Sequence, residues 1–286
     1  MRDFWQALGE FAFLRHALVA GLVASVACGV VGSFVVTRRI SAAAGGLAHA
    51  VLGGMGLALW LQGARGVGWV HPLLGALVFA LLGALILGRV ESRGHERSDT
   101  AISALWAVGM ALGVIFLFRT PGYKVDLTSY LFGNIMLVDP QALRLLILLD
   151  GIVLLVVWLF YHQLVAVCFD PEFTRLRGLN ADAWSTLLLV LVALTVVSLI
   201  YVVGIVMVIA LLSLPAAAVG RFTARLGVMM AAAAGLCAVT TTTGLVLSYR
   251  WDLPAGAVTI LVAAAFYLAA IGLRLKPLRR RLPGSD

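Results

Sequence analysis

Charge is what this sequence has least of: 12% of its 286 residues are Asp, Glu, Lys or Arg, where a soluble domain carries about a quarter. Cysteine is as sparse. Cys28, Cys168 and Cys237 stand singly, two of them in strongly apolar runs, so neither a CxxC motif nor a disulfide framework can be drawn, and each reads as a small packing residue. Also absent are HExxH, GxSxG and a GxxxxGK followed by Ser or Thr, which leaves the chain no evident engine for proteolysis or ATP hydrolysis. What is abundant is apolar: 62% of residues are hydrophobic and the mean hydropathy is +1.06. The solvent for most of such a chain is lipid, which makes a soluble enzyme a poor reading. The net charge of +8 then concerns orientation and is not a nucleic-acid footprint.

Crossing the hydrocarbon core takes about 20 apolar residues in a helix. That ruler marks candidate spans at 13–36, 43–62, 68–88, 100–118, 141–163, 183–203, 205–220, 226–248 and 254–274. The seventh is short, and an eight-span division is nearly as defensible. The expected fold is a polytopic all-α transmembrane bundle in a single membrane domain, 1–286. Residues 1–12 carry Arg2, Asp3 and Glu10, and no A-x-A-like site follows, so the first span is expected to stay in the membrane.

Lys and Arg accumulate in cytoplasmic loops. Placing the loop after span one inside puts fourteen of the 21 basic residues there: Arg38 and Arg39, Arg89, Arg93 and Arg97, Arg175 and Arg177, Arg221 and Arg225, and five between Arg274 and Arg281. Seven are left outside. The C-terminus is then cytoplasmic and, with nine spans, the N-terminus external. Residues 119–140 mix turn formers with an apolar piece, Tyr130 to Val138, too short to cross and read as a re-entrant or surface helix. Residues 168–181 are the longest polar interval. There Asp170, an N-cap, precedes Pro171 and Glu172, and Gly178 is a natural stop, which predicts a short helix on the inner face.

Ionisable groups at membrane depth are functional candidates. His49 lies among Gly45, Gly46, Gly53, Gly54 and Gly56, where backbones can approach closely or open toward a substrate. An imidazole there is either a ligand for a borderline divalent cation or a hydrogen-bonded packing residue. Asp150, some ten residues into span five, is either a protonated, helix-bonding carboxyl or a cation or proton carrier. Arg144, six residues earlier, is expected to snorkel outward and not to pair with it. Asp99 is expected to cap the fourth span, Thr240 to Thr243 to bond backbone carbonyls, and Pro215 to kink or break its helix.

Taken together, several stretches resemble the membrane permease subunits of ABC-type divalent-metal importers for zinc, manganese or iron. They are GLVASVACGVVGSFVVTRRISAAAGGLAHAVLGGMGLAL, DTAISALWAVGMALGVIFL, VDLTSYLFGNIM, FDPEFTRLRGL, VVGIVMVIALLSLPAAAVGRF and WDLPAGAVTILVAAAFYL, spanning about 17 to 273. The resemblance implies a multi-pass protein of the bacterial inner membrane, paired with a second permease subunit, expected as a homodimer. It also implies cytoplasmic ABC ATPase subunits, an extracytoplasmic metal-binding protein, a transported divalent metal ion and no permanently bound cofactor. Residues 169–179 would be the helix that couples to the ATPase, through Phe169, Asp170, Pro171, Glu172, Phe173, Arg175, Leu176, Gly178 and Leu179. In the family an Asp and a His four residues apart contact the metal; here His49 holds the histidine position, Gly45 the aspartate position, and Asn134 replaces the aspartate of the FGD element. With imidazole kept and carboxylate lost, zinc is slightly preferred over manganese, and Asp150 is the one residue that could compensate. The alternative is a gradient-driven secondary transporter with Asp150 as its ion or proton carrier.

Overall fold

The computed structural model describes residues 2–67, 69–92, 98–121 and 140–275. Among them no strand occurs, and these described residues form twelve helices. These are α1 (Arg2–Glu10), α2 (Ala12–Thr37), α3 (Ser41–Arg65), α4 (Pro72–Glu91), α5 (Ser98–Phe118), α6 (Pro140–Leu159), α7 (Tyr161–Phe169), α8 (Pro171–Leu176), α9 (Ala181–Val203), α10 (Ile205–Val219), α11 (Leu226–Trp251) and α12 (Ala255–Leu275). The expected helix at Tyr130 to Val138 and the position of Asn134 lie outside the described residues.

Long apolar runs without internal breakers make the helices, and punctuation at their ends stops them. Pro72, Pro140 and Pro171 open α4, α6 and α8, where a missing N–H costs nothing. The Asn180 side chain accepts from Ala183 N at 3.1 Å and caps α9. Gly66 (φ 65°) and Asp252 (φ 51°) end α3 and α11 in the left-handed conformation. Asp99 sits in the first turn of α5, which begins at Ser98, where its charge faces the positive end of the helix dipole.

Among the described residues seven helices are long and apolar enough to cross a membrane: α2, α3, α4, α5, α9, α11 and α12. The run expected as one span, 141–163, is instead bent by 76° between α6 and α7. The apolar stretch ends at Phe160, and Tyr161, His162 and Gln163 then turn the chain away, with the Phe160 ring 5.2 Å from Trp184. This bent pair is an eighth candidate, and α10, at 15 residues, is shorter than the others. Pro215 does not break α10; the chain breaks ahead of it, at Gly204 (φ 83°). Pro215 has no N–H for the carbonyl of Leu211, and the thiol of Cys237 on α11 approaches that oxygen at 3.6 Å.

Helix α3 is the axis of the bundle. It runs parallel to α5, with Gly46 against Ile102 and Gly56 against Gly113, and antiparallel to α4, with Gly54 against Gly75. A Cβ on Gly54 would collide with the carbonyl oxygen of Gly75, so these two backbones touch only because neither residue has a side chain. Around this trio α9 lies on α4, while α2 packs on α10 and α11. A smaller cluster of Phe4, Ala7, Leu14, Ala17 and Leu245 folds α1 back onto α2 and α11. The termini sort to two ends, and one of them gathers Arg38, Glu91, Asp99, Cys168 and Pro171 around a common cavity.

Candidate functional site

His49 sits in the first half of α3, two turns in from its start, and is 7% exposed. Its Nδ1 lies 2.8 Å from the Gly45 carbonyl one turn earlier. A carbonyl only accepts, so Nδ1 carries the hydrogen and Nε2 is left with a lone pair. That is the arrangement of a metal-binding imidazole, whose other nitrogen is held by a backbone oxygen. The ring is also stacked on Trp106 of α5, centroids 4.1 Å apart and planes at 20°. Its orientation is thus set from two sides. A Cβ at Gly45 would be in ordinary contact, 3.7 Å, with Ile209 and Trp106, so the position one turn before His49 would accept a Cβ but carries no carboxylate. Among the described residues no group of three or more His, Cys, Asp or Glu is placed to hold a metal ion.

Asp150 has a hydrogen-bond partner of its own. It is 1% exposed on α6, and the Ser198 hydroxyl of α9 donates to its Oδ1 at 2.7 Å. Its Oδ2 has no partner among the described residues. α6 packs on α2 and α9, and α3 packs chiefly on α5 and α4 while also touching α9 and α2. Arg144 turns away as expected, with Nε donating to the Pro140 carbonyl at 3.1 Å. Thr240, Thr241 and Thr243 each donate to the carbonyl four residues back, at 2.7 to 3.0 Å, which satisfies hydroxyls in an apolar setting.

The segment expected as a helix over 169–179 is helical from Pro171 to Leu176, as α8. Asp170 caps it by accepting from Phe173 N at 2.8 Å, and Gly178 (φ 78°) ends the turn where a side chain would be strained. Thr174 is fully buried and anchors the helix through a 2.8 Å bond to the Asp170 carbonyl. The opposite side presents Phe169, Phe173 and Leu176, 62%, 48% and 85% exposed. Arg177 lies 4.9 Å over the Phe173 ring, and Arg175 pairs with Asp182 at 2.7 Å. Two exposed large apolar groups on a six-residue helix, with Phe169 just ahead of it and charged neighbours around them, form a surface that protein contact would cover.

Residues that sequence alone did not single out complete these places: Trp106 beside His49, Ser198 beside Asp150, and Cys237 at the Leu211 carbonyl. Each comes from a distant helix. Only the last left a trace in the sequence, because a proline inside a helix announces an orphaned carbonyl four residues earlier.

A helical bundle with seven or eight candidate spans among the described residues, an isolated polar site on its axis and an apolar-studded polar end has the architecture of a polytopic membrane protein. The chain belongs to the ABC 3 transport family, whose model matches residues 10–274. It is 37% identical over 259 residues to a probable metal transport system membrane protein of Chlamydia trachomatis, covering 90% of this chain and 88% of that one. Manganese transport system membrane protein MntC of Halalkalibacterium halodurans is 31% identical over 267 residues, 93% of this chain and 89% of that one. Among solved structures, PsaBC from Streptococcus pneumoniae in complex with Fab matches with a TM-score of 0.82 and 30% identity over 94% of this chain and 95% of that chain. The chain is therefore an ABC-type metal permease subunit and not an enzyme, with ATP hydrolysis in a separate subunit. A gradient-driven carrier is not favoured.

Proposed function

We propose that this permease imports a divalent first-row metal, manganese in the first instance, with His49 contacting the ion as it passes and α8 seated in the ATPase. The observation that carries the reading is the single oriented imidazole on the most enclosed helix, its Nδ1 committed to Gly45 and its Nε2 lone pair available. One imidazole gives one bond. The remaining positions around the cation would be filled by water or backbone carbonyls, which suit manganese better than a thiolate or multi-histidine cage would. Loose ligation also suits a conduit, which must release what it binds. The imidazole taken by itself leans toward zinc; manganese is preferred because oxygen donors would complete the shell and because it is named for relatives such as MntC, at 31% identity.

In this reading the cation arrives from an extracytoplasmic binding protein, and two copies of the chain form the pathway. The end carrying Arg38, Arg175 and Arg177 faces the cytoplasm, as its basic residues favour. Phe169, Phe173 and Leu176 are the apolar contacts that the ATPase would cover. The test is uptake of radioactive manganese by importer-deficient cells at limiting metal, with zinc and iron as competitors. His49→Ala at equal membrane abundance should lower uptake about tenfold or more. Unchanged uptake would remove His49 from the pathway, and stronger competition by zinc would replace manganese as the cargo.

A further inference from the structure

The sharpest concentration of charge contacts in the described residues lies beside α8, not beside His49. Arg38 closes α2, and Arg39 (φ 62°) then reverses the chain into α3. Arg38 Nη2 donates at 2.6 Å both to Glu91 Oε1, at the end of α4, and to Ser185 Oγ, in the first turns of α9. The side chains of the pair are only 11% and 19% exposed, so water screens the attraction weakly. Three helices are thereby tied at one guanidinium. α9 follows α8 within a few residues, so the tie joins the segment bearing the exposed apolar patch to the turn that leads into the His49 helix.

Two features set this junction apart from a permanent clamp. Arg38 Nη1 is buried and has no partner among the described residues. A guanidinium can use both terminal nitrogens on one carboxylate, and here half of that capacity is idle. The junction also borders a cavity of about 390 Å³, lined by Arg38, Glu91, Asp99, Cys168 and Pro171. Across that space Asp99, in the first turn of α5, has no ion pair among the described residues. An arginine paired with one carboxylate, and sharing a cavity with another that has no ion pair among the described residues, has two arrangements available, and α8 borders that cavity.

We propose that Arg38 is a positioning residue of the transport cycle, exchanging Glu91 at the end of α4 for Asp99 at the start of α5 when the ATPase moves α8. The exchange would release α4 and α9 from α2 and draw in α5, the helix that stacks Trp106 on His49. Force on the dock would thereby reach the cargo site through one side chain. The proposal rests on the reading of α8 as the dock, and its variants lie outside α8 so that the two can fail separately.

The experiment uses the complete importer in proteoliposomes, with ATP hydrolysis and radioactive manganese uptake measured together, with and without the loaded binding protein. Glu91→Gln should raise hydrolysis in the absence of binding protein and lower the uptake per ATP about tenfold, an ordinary coupling energy. The exchange Arg38→Glu with Glu91→Arg should recover most of the loss. Asp99→Asn, at an exposed position where folding is not at stake, should also lower the uptake per ATP. Uptake per ATP equal to wild type in Asp99→Asn overturns the exchange of partners. A charge-swapped protein that assembles but stays as defective as Glu91→Gln overturns the pair as a coupling element. Loss of hydrolysis control on Phe173→Ala and Leu176→Ala, or its persistence, reports on the dock alone.

Discussion

The α3–α4–α5 trio and the α7–α8–α9 corner are built on opposite terms. The trio is held by backbone contact: Gly54 on Gly75, Gly56 on Gly113 and Gly109 on Ala50 leave no space between helices. The corner is held by side chains, with Arg38 on Glu91 and Ser185, Asp170 on Phe173 N, a 76° bend and an open cavity. Backbone contacts cannot be adjusted in small steps, because the helices either fit or collide. Ion pairs and voids can rearrange. The contrast divides the labour: the glycine-packed trio keeps its internal geometry around the cargo and shifts as one body, and the polar corner rearranges.

The largest effect is expected from breaking the trio. Gly54→Val would drive a branched side chain into the Gly75 carbonyl and should cost about 3 kcal/mol or more, seen as loss of the folded protein from detergent extracts in thermal-shift or size-exclusion measurements. The corner should respond differently. Phe173→Ala combined with Leu176→Ala exposes less apolar surface, so the permease should remain folded while recovery of the ATPase on co-purification falls about tenfold.

A smaller effect is expected at α10. Cys237→Ala removes the only side-chain partner described for the Leu211 carbonyl and should destabilise by about 1 kcal/mol, measured as a lower thermal midpoint, with Cys237→Ser closer to wild type. The smallest is expected at Asp150. Asp150→Asn keeps shape and can still bond Ser198, so metal uptake should stay within about twofold of wild type. A collapse of uptake there, with the protein present in the membrane, would revive a carrier role for the carboxyl.

How far the sequence anticipates this structure depends on whether the deciding signal is local. The helix at 171–176 was readable because Asp170, Pro171 and Gly178 are local signals, and local capping decided it. The threonines of α11 behave as expected for the same reason. Pro215, expected to kink or break its helix, lies inside a continuous one, and its compensation is not local: the Cys237 thiol comes from another helix, while the chain breaks at Gly204, where the spans divide in the sequence. The span at 141–163 was drawn by length, yet the polar trio Tyr161 to Gln163 ends it early. At the candidate site the sequence offered His49 and its glycines. It gave no hint of Trp106, because stacking across two parallel helices depends on their register and not on spacing along either one.

The most direct test of the division between a cargo site of fixed internal geometry and a rearranging corner is a paired measurement on His49→Ala in proteoliposomes holding the complete importer. Manganese uptake should fall about tenfold or more while ATP hydrolysis, and its stimulation by the binding protein, stay near wild type. Uptake and stimulated hydrolysis falling together, or neither falling, would contradict the account.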